Sequence, residues 1–169
     1  WITRIDKAIA DGSFAETKTL LDAIDRCKKR GGALHLMGLI GDGGVHSHSD
    51  HLVALVAVAT LRGMKRVYVH AFTDGRDTSP TASGDHIRYL QDHFQRIGVG
   101  RIVTVTGRYF AMDRDKRWER TEAAYDAIIE GKGREFSSAL ACIETWHREG
   151  TTDEFIPPSL IVPPGASPI

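Results

Sequence analysis

At 169 residues, 41% of them hydrophobic and 26% charged, the chain has the composition of an ordinary globular domain with room for one sizeable core. Twenty-two Lys plus Arg balance 22 Asp plus Glu, which excludes an overall basic field of the kind that draws a protein to nucleic acid or anionic lipid. The apolar run from Leu52 to Leu61 is too short to span a bilayer, and the two cysteines, Cys27 and Cys142, lie far apart in segments that read as helical, so reduced thiols in a cytoplasmic protein are expected rather than disulfides.

Ile5 and Ile9, four apart, predict a short amphipathic helix over 3–10 that Gly12 stops. Ser13-Phe14-Ala15-Glu16 has the form of a capping box and is expected to open a helix with Leu20, Leu21, Ile24 and Cys27 inward, closed by Gly31-Gly32. Residues 33–40 are a nearly continuous apolar run, expected of a strand covered on both faces. That strand delivers the chain into Gly41-Asp42-Gly43-Gly44-Val45-His46-Ser47-His48-Ser49-Asp50-His51, after which Ser49 or Asp50 is expected to cap a helix ending at Leu61. A β-branched and aromatic strand follows at 66–72 and empties into Thr73-Asp74-Gly75-Arg76-Asp77-Thr78. Ser79-Pro80 reads as an N-cap with proline at the first helical position, opening a helix with Ile87, Leu90 and Phe94 inward that Gly98 ends. A third strand at 101–106 leads into Gly107 to Asp115, then helices over 116–130 and 137–149. Residues 153–164 can hold one short strand at most, since prolines cannot donate to a central ladder. The domain is therefore expected to occupy 1–156, with the proline-rich 157–169 leading out of it. A start at Trp1 rather than Met and an open tail read as a piece of a longer chain.

Strands alternating with long helices predict an α/β fold: a three-layer α/β/α sandwich around a mainly parallel sheet. In such a sheet the loops after the strands' carboxyl ends gather at one edge, where ligands bind. The three chemically unusual stretches, 41–51, 73–78 and 107–115, all fall there. They bring His46, His48 and His51, then Asp74, Arg76 and Asp77, then Arg108 and Arg114. Several guanidiniums facing one pocket form a receptor for a small dianion, phosphate above all, because their fork geometry matches its oxygens. An aspartate beside them could take and return a hydroxyl proton. The competing reading for Arg108 and Arg114 is surface ion pairing with Asp113, Asp115 or Glu119.

Gly43-Gly44-Val45-His46-Ser47-His48, Asp74-Gly75-Arg76-Asp77, and Gly107-Arg108-Tyr109 with Met112-Asp113-Arg114-Asp115-Lys116-Arg117-Trp118 together resemble the inserted phosphotransferase domain of cofactor-independent (2,3-bisphosphoglycerate-independent) phosphoglycerate mutases. The resemblance runs from Arg4-Ile5-Asp6 to Thr152-Asp153-Glu154-Phe155 in the family's order and spacing. It implies a monomer that interconverts 3-phosphoglycerate and 2-phosphoglycerate in glycolysis and gluconeogenesis, through a phosphoserine on an alkaline-phosphatase-like host domain holding manganese. It implies substrate contacts at His46, Arg76, Asp77, Arg108 and Arg114, with Asp77 as the proton shuttle, no metal ligand in this chain, and no nucleic-acid or membrane partner. The family's serine, its manganese ligands and a later arginine pair are absent from this sequence, so the chain alone is expected to be inactive. Insertion into a host domain also implies that the two chain ends lie near each other.

Two other classes compete. His46-Ser47-His48 after a strand resembles the first ligands of metal-dependent hydrolases, which usually need a larger barrel to complete the set. A non-catalytic module that binds phosphorylated acids is the other.

Overall fold

The computed structural model describes residues 2–166. Its strands are β1 (Leu34–Leu39), β2 (Val67–Thr73), β3 (Arg101–Gly107), β4 (Arg134–Phe136) and β5 (Ser159–Ile161). Its helices are α1 (Ile2–Ala10), α2 (Lys18–Lys29), α3 (Ser49–Leu61), α4 (Ser83–Ile97), the single turn α5 (Arg108–Ala111), α6 (Trp118–Ile129) and α7 (Ala139–Arg148). The strands form one sheet in the order β1-β2-β3-β5-β4, with β1, β2 and β3 mutually parallel as their helical crossovers require.

Alternation along β2 assigns the two faces. Val67, Val69 and Ala71 join Ile24, Val56, Ile87, Leu90 and Ile143 in the principal core, which α2, α3, α4 and α7 supply. Full burial of a side chain such as Ile87 or Leu90 contributes about 1.5–3 kcal/mol. The intervening His70 borders a small cavity with Thr104, Leu160, Ala127 and Ile128, so α6 covers the opposite face of β3 and β5. This is the expected α/β arrangement with a mostly parallel sheet. No helix among the described residues is long and apolar enough to cross a membrane.

Several local expectations fail for identifiable reasons. Ser13–Glu16 is a 3-10 turn, not the start of a helix, because Asp11 takes both the amide and the hydroxyl of Ser13; α2 begins after Thr17. His48, not Ser49 or Asp50, caps α3, its Nδ1 accepting from the Asp50 amide at 3.2 Å. Ser79-Pro80 does not open a helix either. α4 begins at Ser83, whose amide and hydroxyl donate to the buried carboxylate of Asp153 from 70 residues further on. β1 is an edge strand, and Met37 on its open face is 59% exposed, so it is not covered on both sides.

The sheet's far edge departs most from the sequence reading. β4 carries no apolar alternation, only Arg134-Glu135-Phe136, and was not anticipated. The one short strand allowed to the proline-rich tail lies inside the sheet as β5, antiparallel to β3 and parallel to β4. Its three residues are buried, so the domain does not stop at Ile156 and residues 159–161 belong to it. Pro157, Pro158, Pro163 and Pro164 frame the strand and limit its pairing to that length. Proximity of the chain ends turns on Trp1 and residues 167–169, outside the described residues.

Candidate functional site

Three carboxyl-edge loops meet because two glycines let backbone approach backbone. A Cβ on Gly43 would lie 2.8 Å from the Asp77 carbonyl oxygen, and one on Gly107 only 2.3 Å from the Glu154 carbonyl oxygen. Any larger residue would force the first loop off the second, or the end of β3 off the 153–156 segment. The first loop is closed on itself by reciprocal bonds of 2.9 Å between Gly41 and Ser49, and Ser47 donates to the Leu39 carbonyl at 2.7 Å. The 153–156 segment is fixed by Asp153, which also binds His147 at 2.7 Å and accepts the Thr73 hydroxyl on its carbonyl.

At the centre Arg108 Nη1 donates to Asp74 Oδ1 and to Asp77 Oδ2, each at 2.7 Å. The Asp74 side chain is 8% exposed and the same oxygen accepts the amides of Arg76 and Asp77, so one carboxylate folds the turn and anchors the guanidinium. Burial by itself would raise the Asp74 pKa, but the Asp77 amide, the Arg108 guanidinium and the Arg76 amide outweigh it and hold the carboxyl below its ordinary value. Burial likewise pulls Arg108 down, yet the hydrogen bonds it donates to Asp77 and Asp74 win and keep it firmly charged. His46 Nε2 sits 3.4 Å from the Asp77 carboxylate. Arg76 reaches Glu154 at 3.4 Å and remains half exposed.

The cleft beside this centre has a volume of about 280 Å³, bordered by His46, Arg76, Arg108, Arg114, Arg120 and Glu154 among others. Arg114 is exposed there and has no ion pair with another described residue. The acids beside it are taken by Arg120, which binds Asp113 at 3.1 Å and Asp115 at 3.5 Å and lies 3.8 Å from the centre of the Tyr109 ring. Asp113 also accepts the Arg117 amide, and this anchoring sustains the left-handed backbone of Lys116, φ 59°, in the loop that presents Arg114. The competing surface-pairing reading therefore describes Arg120, while Arg108 pairs with Asp74 and Asp77 across the loops.

Of the five residues singled out from the sequence, His46, Arg76, Arg108 and Arg114 border this cleft, and Asp77 lies beside it, paired with Arg108 and 3.4 Å from His46. His48 and His51 do not. The first caps α3, and the second, buried, pairs with Asp6 at 2.7 Å and ties α1 to α3. With the imidazoles of His46 and His48 directed to different partners, the metal-hydrolase reading loses its paired ligands. Among the described residues no group of three or more His, Cys, Asp or Glu is arranged to hold a metal ion. Arg120, Tyr109 and Glu154 were not singled out, although the run of charges after Met112 carries the first of them.

The BPG-independent PGAM N-terminus family (iPGM_N) matches residues 5–168. The chain belongs to this family. The 2,3-bisphosphoglycerate-independent phosphoglycerate mutase of Thermomicrobium roseum is 55% identical over 168 residues, covering 99% of this chain and 32% of that protein. The Moorella thermoacetica enzyme of the same name is 48% identical over 164 residues, with 97% and 32% covered. A crystal structure of Leishmania mexicana phosphoglycerate mutase at low cobalt concentration has the same fold, with a TM-score of 0.90 and 32% identity over 99% of this chain and 32% of that one. The chain thus spans about a third of the length of these mutases.

Proposed function

We propose that this chain is the substrate-binding part of a phosphoglycerate mutase interconverting 3-phosphoglycerate and 2-phosphoglycerate, a step of glycolysis and gluconeogenesis, in a monomeric cytoplasmic protein whose remaining length carries the phosphoryl-accepting serine. The observation that carries this reading is the Asp77 carboxylate, in contact with Arg108 and His46, two of the residues that border an arginine-rich cleft. Arg108 spends only Nη1 on its two aspartates. Its remaining N–H groups, with those of Arg76 and Arg114, are available to grip the carboxylate and phosphate of the substrate bidentately. Asp77 takes the proton of the glycerate hydroxyl whose oxygen attacks the phosphoserine, and returns it to the glycerate oxygen freed when a phosphoryl group passes back to the serine, so the proton count closes over the cycle. Between the two transfers the arginines hold glycerate while it exchanges one hydroxyl for the other, a positioning role that replaces a bimolecular encounter with a local rearrangement.

Manganese would supply charge neutralisation at the transferring phosphoryl group. The carboxylates bordering the cleft, Asp113, Asp115 and Glu154, are already paired with Arg120 and Arg76 among four arginines, which does not suit a divalent cation, so its ligands are assigned to the part of the protein outside this chain. With no acceptor in line, the isolated chain should bind substrate weakly, in a strongly salt-dependent way, and turn over nothing. A coupled enolase assay on this chain and on the full-length protein containing it tests the reading. Activity confined to the full-length protein is expected; mutase activity in the isolated chain would overturn it, and binding without turnover in both would leave a non-catalytic module.

A further inference from the structure

At the opposite edge of the sheet, the amino ends of β2 and β3, the end of α4 and the start of α7 line an open cavity of about 640 Å³. Three cations border it, Lys65, Arg66 and Arg101, and no aspartate or glutamate does, in a chain whose charges balance 22 to 22. That segregation is local. Several arginines elsewhere are matched to carboxylates, Arg62 to Asp25, Arg88 to Asp85 and Arg134 to Glu149. Here Arg66 donates to a backbone carbonyl, that of Gly31, and neither Lys65 nor Arg101 pairs with a carboxylate among the described residues.

Arg101 carries a second, independent observation. Its guanidinium lies 5.2 Å from the centre of the Tyr68 ring, and its Nε is buried with no hydrogen-bond partner among the described residues. That buried Nε is sealed from the cavity, but Arg101 as a residue is only partly buried and borders it, so its charge faces an anion bound there with no carboxylate to offset it. On the opposite wall Ser137 and Ser138 lead into α7; the Ser138 hydroxyl caps the Ala141 amide, and the free amides of this ten-residue helix's first turn add positive potential.

We propose that this cavity is a second anion site, separate from the arginine cleft, which binds the phosphoryl group of a small molecule between Lys65, Arg101 and the start of α7. The two sites lie at opposite ends of seven-residue strands, on the order of 20 Å apart, so a ligand in one does not touch the other. With three cations and no carboxylate to move a proton, the amino-edge cavity binds and does not catalyse.

The test is a titration of the isotope-labelled chain with inorganic phosphate at constant ionic strength, followed through amide chemical shifts, with chloride as the control and glycerol phosphate as a second probe. Saturable shifts at Arg101, Ser138 and Ala139 are expected. They should weaken at least tenfold in Lys65→Gln, an exposed position where folding is not at risk, and in Arg101→Gln, which removes the guanidinium charge. The response of Arg108 and its neighbours should be unchanged in both variants. Tighter binding of glycerol phosphate would point to a phosphorylated metabolite, and equal binding to free phosphate. Equal shifts with chloride, no saturation, or parental affinity in both variants would overturn the site.

Discussion

Asp74 holds Arg108 at 2.7 Å from within the turn that also presents Asp77, so a single carboxylate sets the position of both cleft residues. Asp74→Asn should therefore loosen Arg108 and reduce kcat/KM of the full-length protein by about tenfold or more, with a loss of about 1–3 kcal/mol in stability at pH 7. The sign of the pH effect follows from a folded pKa held below its ordinary 3.8. Asp74 stabilises the fold at pH values above 3.8, and that contribution disappears as the pH falls through the lower folded value. Denaturant unfolding of parent and variant from pH 7 to pH 2.5 should show the difference between them shrinking at the acid end.

Asp77 and Arg114 separate chemistry from grip. On the proposed mechanism, Asp77→Asn takes away the proton carrier while leaving most anion contacts, so kcat of the full-length protein should fall about 100-fold or more and KM should change little. Arg114 has no ion pair among the described residues, so Arg114→Gln should leave the melting temperature within about 2 °C and raise KM about tenfold. A Asp77→Asn enzyme as fast as its parent would remove Asp77 from the mechanism.

Gly107 sets the close approach between β3 and the 153–156 segment. In Gly107→Ala the new Cβ would meet the Glu154 carbonyl oxygen at 2.3 Å and the Ile156 nitrogen at 2.6 Å, both backbone atoms that cannot swing aside. A loss of about 3 kcal/mol is expected. Gly38→Ala is the control: nothing lies within 4 Å of its Cβ, and it should change stability by less than about 0.5 kcal/mol. Urea titrations of the two variants make the comparison.

His70 bridges the sheet, bonded to His35 at 3.0 Å and to Thr104 at 2.9 Å while 1% exposed. Burial, assisted by His35, pushes its pKa from 6.5 down to about 4. The unfolded chain then binds a proton that the folded chain refuses. Stability is complete above pH 6.5 and declines toward pH 4 at up to about 1.4 kcal/mol per pH unit. His70→Asn should flatten that slope. A smaller slope of the same sign should remain, because burial also lowers His35.

The fold class was legible because parallel strands joined by helices leave a strong mark: apolar runs at 33–40, 66–72 and 101–106, each followed by a helix. The candidate site residues were legible in part for a related reason: they sit in loops that follow the strands' carboxyl ends, which a parallel sheet delivers to one edge. That reasoning also gathered His48 and His51, which turn elsewhere, and it was the family resemblance that narrowed the set to five.

Contacts between residues remote in sequence were decided only by the tertiary structure. Nothing near Ser83 announces that its cap is Asp153, 70 residues away, and the local signal at Ser79-Pro80 pointed to the wrong start. β5 enters the sheet because β3 has an unpaired edge to satisfy, a demand invisible from within a proline-rich segment. Which arginine stays open for a ligand was decided in the same way. Asp113 and Asp115 are neighbours of Arg114 in sequence, yet the helical turn of α6 brings Arg120 onto them and leaves Arg114 to the cleft. Sequence spacing determined which groups reach the edge; the packing of elements against one another determined which of them already had partners there.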